Sequence, residues 1–149
     1  ALGNMRNGYR VSDYENAQAS DGVAEAPMHG NAWEGNNRAI RRLLRKGWSA
    51  NILDSTGESP LHGACSWGQA TVVRTLLVSG ADPNIQAIDT GYTPLHWACG
   101  WDGTLGIVRC LLKAGAKTDL SNASGDKPVD IAKKFGRKKT VDLLSRHVV

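Results

Sequence analysis

Ser59-Pro60-Leu61-His62-Gly63-Ala64-Cys65 and Thr93-Pro94-Leu95-His96-Trp97-Ala98-Cys99 are two copies of one pattern set 34 residues apart. Ala26-Pro27-Met28-His29 and Lys127-Pro128-Val129-Asp130 extend it in both directions, so the four prolines are separated by 33, 34 and 34 residues. A fixed period of that length marks an architecture of stacked repeats. A serine or threonine hydroxyl caps the first turn of a helix, and the proline behind it brings a preset φ to a position where its missing N–H costs nothing. Each tetrapeptide therefore starts a helix.

Working outward, Gly47, Gly80 and Gly115 follow apolar runs at helical spacing, Ile40/Leu43/Leu44, Val73/Leu76/Leu77 and Val108/Leu111/Leu112. Glycine tolerates the left-handed turn beyond a helix end, so each of these stops a second helix. Between such a glycine and the next proline lie polar, turn-rich segments, 82–93 and 117–127, that suit a finger-like connection. Two antiparallel helices and a finger make one unit. A unit of this size cannot bury its own apolar face, so its stability must come from its neighbours.

Together with Leu76-Leu77-Val78-Ser79-Gly80-Ala81-Asp82-Pro83-Asn84, the pattern resembles the ankyrin-repeat family over about residues 24–149. That resemblance implies an all-α repeat solenoid, an ankyrin-repeat stack of helix-turn-helix units joined by β-hairpin-like fingers. The units fall at about 24–56, 57–90, 91–124 and 125–149, after an N-terminal extension over 1–23. Asp102 is an extra residue in the turn of the third unit, and another near Asp89 lengthens the second finger. In the fourth unit Lys133 replaces the small position of Cys65 and Cys99, and in the first Arg42 replaces Thr75 and Cys110. Polar substitutions at these positions suit end caps, and a complete short stack is the expectation. In the extension, Ser12-Asp13-Tyr14-Glu15 could be a capping box for a short helix, with a mobile arm or a packed-down segment as the alternatives.

The composition excludes several classes. No apolar run approaches the roughly 18 residues needed to cross a bilayer, and residues 1–10 lack the apolar stretch of a signal peptide. Three cysteines, Cys65, Cys99 and Cys110, match neither a disulfide framework nor a zinc spacing, so a cytoplasmic or nuclear location is expected. The net charge of +4 is concentrated at the ends: residues 27–56 carry five basic and two acidic side chains, and residues 125–149 carry seven and three. Arg38, Arg41, Arg42 and Arg45 form one helical stripe, which reads first as a solvated cap and second as a patch for nucleic acid or an acidic surface. Nucleic acid is the lesser expectation, because the basic ends are far apart and no aromatic motif interleaves them.

No catalytic constellation stands out. Histidines 29, 62 and 96 are one repeat apart, roughly 8–10 Å between helices, too far to share a zinc ion at about 2 Å. Each is expected to bridge backbone groups of its own unit and the next. Cys65 after His62, and Cys99 after His96, are buried repeat positions with no orienting third group. No enzyme activity, cofactor or metal is expected.

The tryptophans carry the binding hypothesis. Trp67 and Trp101 hold one position in successive repeats, Trp97 lies four residues before Trp101 on the same face, and Trp33 is one place off. In ankyrin stacks that end of the first helix lines the concave groove, and large exposed aromatics anchor binding hot spots. The resemblance thus implies a monomeric scaffold, adaptor or inhibitor gripping a protein or peptide, with Trp67, Trp97, Trp101, Asp102, Asp89 and Tyr92 as partner-binding residues. Packing of these rings between repeats is the alternative. Leu95-His96-Trp97-Ala98 also resembles the first-helix tryptophan with which some histone-reading ankyrin domains hold a methylated lysine, although Gly63 stands where another ring would be. A regulatory module belonging to a larger enzyme is a further alternative.

Overall fold

The computed structural model describes residues 28–147 and the paired segments β1 (Met5–Arg6) and β2 (Tyr9–Arg10). Over the longer stretch four helix pairs follow one another: α1 (Met28–Glu34) with α2 (Asn37–Arg45), and α3 (Pro60–Ser66) with α4 (Ala70–Val78). Then come α5 (Pro94–Cys99) with α6 (Leu105–Lys113), and α7 (Pro128–Lys134) with α8 (Lys138–Arg146). Pro60, Pro94 and Pro128 each occupy the first helical position, as their chemistry dictates. The first helices stack on one another in one layer and the second helices in a parallel layer behind them.

Two features depart from the expected all-α architecture. Met5–Arg6 and Tyr9–Arg10 form a small antiparallel hairpin with Met5 opposite Arg10. The residues between them, Asn7-Gly8, are the strongest short hairpin signal a sequence carries. The proposed capping box at Ser12-Asp13-Tyr14-Glu15 lies outside the described residues. The fingers contain no strand among the described residues; each tip is a tight turn closed by a few backbone bonds, such as Asp54 N–H to the Glu58 carbonyl at 3.0 Å. Neighbouring tips are joined by backbone bonds, Ile88 N–H to Thr56 O at 2.8 Å and Ala123 N–H to Thr90 O at 2.9 Å.

Each second helix stops as the glycine spacing requires. After α4, Gly80 takes φ +92°, which lets Ala81 N–H reach back to Leu76 O at 2.9 Å and Gly80 N–H to Leu77 O at 3.2 Å. These two bonds satisfy carbonyls that the helix end would leave orphaned. Just beyond, asparagines clamp unit to unit. Asn51 donates to Gly80 O at 3.0 Å and accepts from Asp82 N–H at 2.7 Å, and Asn84 repeats this with Gly115 O at 3.1 Å and Lys117 N–H at 2.7 Å.

The histidines form the other staple. Ser59 N–H donates to His62 Nδ1 at 3.0 Å, and Thr93 N–H donates to His96 Nδ1 at 3.1 Å. With Nδ1 occupied as an acceptor, the proton must sit on Nε2, which donates to the next finger: His62 to Tyr92 O and His96 to Asp126 O, both at 2.9 Å. His29 reaches Glu58 O in the same way at 2.9 Å. Asp130 holds this position in the fourth unit, and its carboxylate accepts from its own cap, Lys127 N–H, at 2.9 Å.

Between the layers runs one continuous core that includes Ile40, Leu43, Leu61, Val73, Leu76, Leu95, Val108 and Leu111, all with no exposed surface. Arg38, Arg42, Arg45 and Lys133 are exposed, as solvated positions should be. Truncating Leu76 to alanine removes buried methyl groups and leaves a cavity, so L76A should lose about 2–5 kcal/mol in urea denaturation. Neutralising Arg38 and Arg45 together should change that stability by less than about 1 kcal/mol.

Burial drives the pKa of His62 down from its ordinary 6.5 to about 4, and burial likewise lowers His29 and His96. The folded protein thus binds fewer protons than the unfolded chain between these values, and stability rises with pH wherever the unfolded state holds more protons. The contribution of these histidines should be constant above about pH 7, and stability should decline as pH falls from 6.5 toward 4. Urea midpoints across that range, with imidazole resonances followed by NMR, measure it. A midpoint independent of pH would contradict neutral, buried rings.

Candidate functional site

The chain after the first helices and the finger tips face each other across a groove. It widens into a cavity of about 460 Å³ whose walls include Trp67, Trp97 and Trp101 on one side and Thr56, Glu58, Asp89 and Thr90 on the other. Trp67 is the residue at which α3 ends, Trp101 lies two residues past α5, and Trp97 is inside α5. Trp67 and Trp101 are 59% and 52% exposed, values large enough to offer ring faces to a ligand. Trp97 is half-buried and held in place. Its indole N–H donates to Glu58 Oε1 at 3.0 Å, and its ring packs against Tyr92 with centroids 4.8 Å apart and planes at 52°.

Two local irregularities shape this cavity. In the second finger Ala87 N–H bonds to Tyr92 O, one residue further than the equivalent Asp54 to Glu58 and Asn122 to Asp126 pairs. The extra residue lies in the loop that brings Asp89 and Thr90 to the cavity wall. In the third unit Asp102 displaces the backbone amide that elsewhere closes the inter-helix turn, as in Gln69 N–H to Ala64 O at 2.8 Å. The Thr104 hydroxyl substitutes, lying 2.6 Å from Ala98 O and 2.9 Å from Trp101 O. The hydroxyl has one hydrogen, directed at the nearer Ala98 O, and it packs against the Trp101 carbonyl in the turn that carries the exposed ring.

The residues expected to bind a partner therefore divide. Trp67, Trp97, Trp101 and Asp89 converge on the cavity. Tyr92 does not line it; its ring supports Trp97 and His96, and its carbonyl receives the His62 bond. Asp102 points elsewhere and pairs with Arg137 of the fourth unit at 2.7 Å. Trp33 is buried and lies over Gly63, where an added Cβ would come within 1.9 Å of the indole. Gly63 is thus the space that Trp33 requires. Glu58 leaves no local trace in the sequence, because its link to Trp97 spans 39 residues. Phe135, 53% exposed, stands as far from Pro128 as Trp67 stands from Pro60.

The groove offers stacking faces and carboxylates, and two of the three cysteines are withdrawn from chemistry. Burial raises the Cys65 thiol and pushes Cys99 up to about 12, so neither supplies a thiolate near neutral pH. No cluster of three or more histidine, cysteine or acidic side chains suited to a metal ion occurs among the described residues. Among them, no helix is long and apolar enough to cross a membrane.

A search of curated proteins finds no match to the chain. The family described as ankyrin repeats (3 copies) matches residues 12–87 and 80–148, and these spans include all four helix pairs. By its proline and glycine phase, its stacked helix pairs and that match, the chain belongs to the ankyrin-repeat family.

Proposed function

We propose that the protein is a recognition module that binds a partner protein along the groove, seating a positively charged side chain of that partner among Trp67, Trp97 and Trp101. Ankyrin repeats are generally protein-protein interaction modules and typically non-enzymatic, which supports the class of function. The observation that carries the finer reading is the cavity itself, where three indoles meet the carboxylates of Glu58 and Asp89. A cation over an indole face gains about 0.5–2 kcal/mol, more when water is excluded, and carboxylates beside the rings add Coulombic attraction. Lysine suits such a site, and a methylated lysine suits it further because its methyl groups bury apolar surface against the rings.

The single bond from Trp97 to Glu58 fixes that indole before a ligand arrives, so little ordering is needed on binding. Trp67 and Trp101 are exposed and supply adaptable walls. Role as scaffold, adaptor or inhibitor depends on what the partner does, and the groove is common to all three.

The test is capture of partners on the immobilised protein, followed by titration of the contacting peptide into wild type, W67A, W97A and W101A, with folding checked by circular dichroism. W67A and W101A should each weaken binding by about tenfold or more, the scale of an aromatic hot spot. Replacing the peptide's lysine with glutamine should weaken it comparably, and methylating that lysine should strengthen it. Full affinity in both W67A and W101A would sink the groove reading; indifference to the lysine replacement would sink the cationic occupant alone.

A further inference from the structure

A second surface, sharing no residue with the tryptophan groove, has the opposite character. Helices α2, α4, α6 and α8 carry ten exposed basic residues against one acid, Asp142, which is already paired with Arg146. The acids of the cavity, Glu58 and Asp89, belong to the fingers. Cations gathered on this helical layer, with few counter-charges beside them, repel one another and attract an acidic surface.

Within this layer the space between α2 and α4 forms a furrow of about 500 Å³, lined by Arg41, Arg45 and Arg74 together with the apolar Leu44 and Val78. Val78 is 89% exposed, and the equivalent positions of the other units hold Arg45, Lys113 and Arg146. An apolar side chain thus stands in a row otherwise made of cations, inside the furrow. Arg41 and Arg45 lie one helical turn apart, about 6 Å at their Cβ atoms, and Arg74 is the counterpart of Arg41 across the furrow. Arg74 makes only a weak contact of 3.4 Å with the Thr71 hydroxyl, which leaves its guanidinium donors on the solvent side.

We propose that this furrow docks an acidic amphipathic helix of a partner protein, with leucine-like side chains on Val78 and Leu44 and carboxylates one turn apart on Arg41, Arg45 and Arg74. A helix laid in a groove presents its anchors at the i, i+3, i+4 and i+7 positions, the same one-turn repeat that the arginines show. Arginine's planar fork pairs bidentately with carboxylates, which gives orientation as well as attraction. A nucleic acid would use the same charge but would leave the apolar side chains unused, and no aromatic ring lines the furrow for a base to stack on. This surface stands independently of the groove, whatever occupies the latter.

Fluorescence anisotropy with three labelled probes tests it: a synthetic amphipathic helix of leucine and glutamate, a peptide of the same composition with the leucines scattered, and a single-stranded DNA oligonucleotide. The amphipathic helix should bind saturably and about tenfold more tightly than the scattered peptide. R41Q combined with R74Q should weaken it by about tenfold or more, and V78S by severalfold, each variant keeping the wild-type circular dichroism and melting temperature. R45Q supplies a second arginine reading should the double variant fold poorly. Equal binding of the two peptides, or full affinity in V78S, would overturn the proposal. Tighter binding of the oligonucleotide than of the amphipathic helix, lost in the same arginine variants, would replace it with a phosphate-binding face.

Discussion

In the second and third units one imidazole holds two units together with one proton. Its Nδ1 lone pair is committed to the serine or threonine that begins its own helix, which forces the hydrogen onto Nε2 and directs it at a carbonyl of the next finger. A charged ring could not do this, because both nitrogens would be donors and the cap amide would lose its acceptor. Burial keeps the ring neutral, and neutrality keeps the bridge intact. The position of each finger relative to its neighbour, and hence the cavity that the fingers close, follows from this arrangement.

On that regular frame the groove is made by exceptions. The lengthened second finger brings Asp89 and Thr90 to the cavity wall, and the inserted Asp102 reorganises the turn that carries Trp101. Trp97 occupies a position that is glycine in the two preceding units, Gly30 and Gly63, and the second of these gives its space to Trp33. Regular positions supply stiffness, and irregular ones supply shape. The two faces also differ in charge: carboxylates lie with indoles in the groove, and guanidinium groups line the outer helices.

Much of the fold was legible because its determinants are local and periodic. Proline, the residue before it, histidine two places after it and glycine at the helix ends each act through their own backbone geometry, and their phase can be counted. The tryptophan positions at 67, 97 and 101 were legible for the same reason. What escaped were contacts between residues far apart in sequence. Glu58 reads as one more polar finger residue until Trp97 is found against it, and Asp102 reads as a groove carboxylate until Arg137 reaches it from the next unit. Trp33 differs by one place from the exposed pair, and at helical periodicity one place is enough to turn a ring from solvent onto Gly63. The pairing of Met5–Arg6 with Tyr9–Arg10 had a readable sequence signal in the intervening Asn7-Gly8.

The substitution of a hydroxyl for an amide at Thr104 ties two kinds of sequence change together. In the second unit the Ala64 carbonyl is satisfied by the main chain of residue 69, so that bond is indifferent to side-chain identity. With one residue more in the third unit, the same duty falls on the side chain of Thr104, which is itself buried. Valine there would have nearly the same shape and would leave the buried carbonyl unpaired, whereas serine would not. The longer turn and the hydroxyl-bearing residue behind it are therefore coupled physically. Without the extra residue the following position is released from this duty, and with it that position is not.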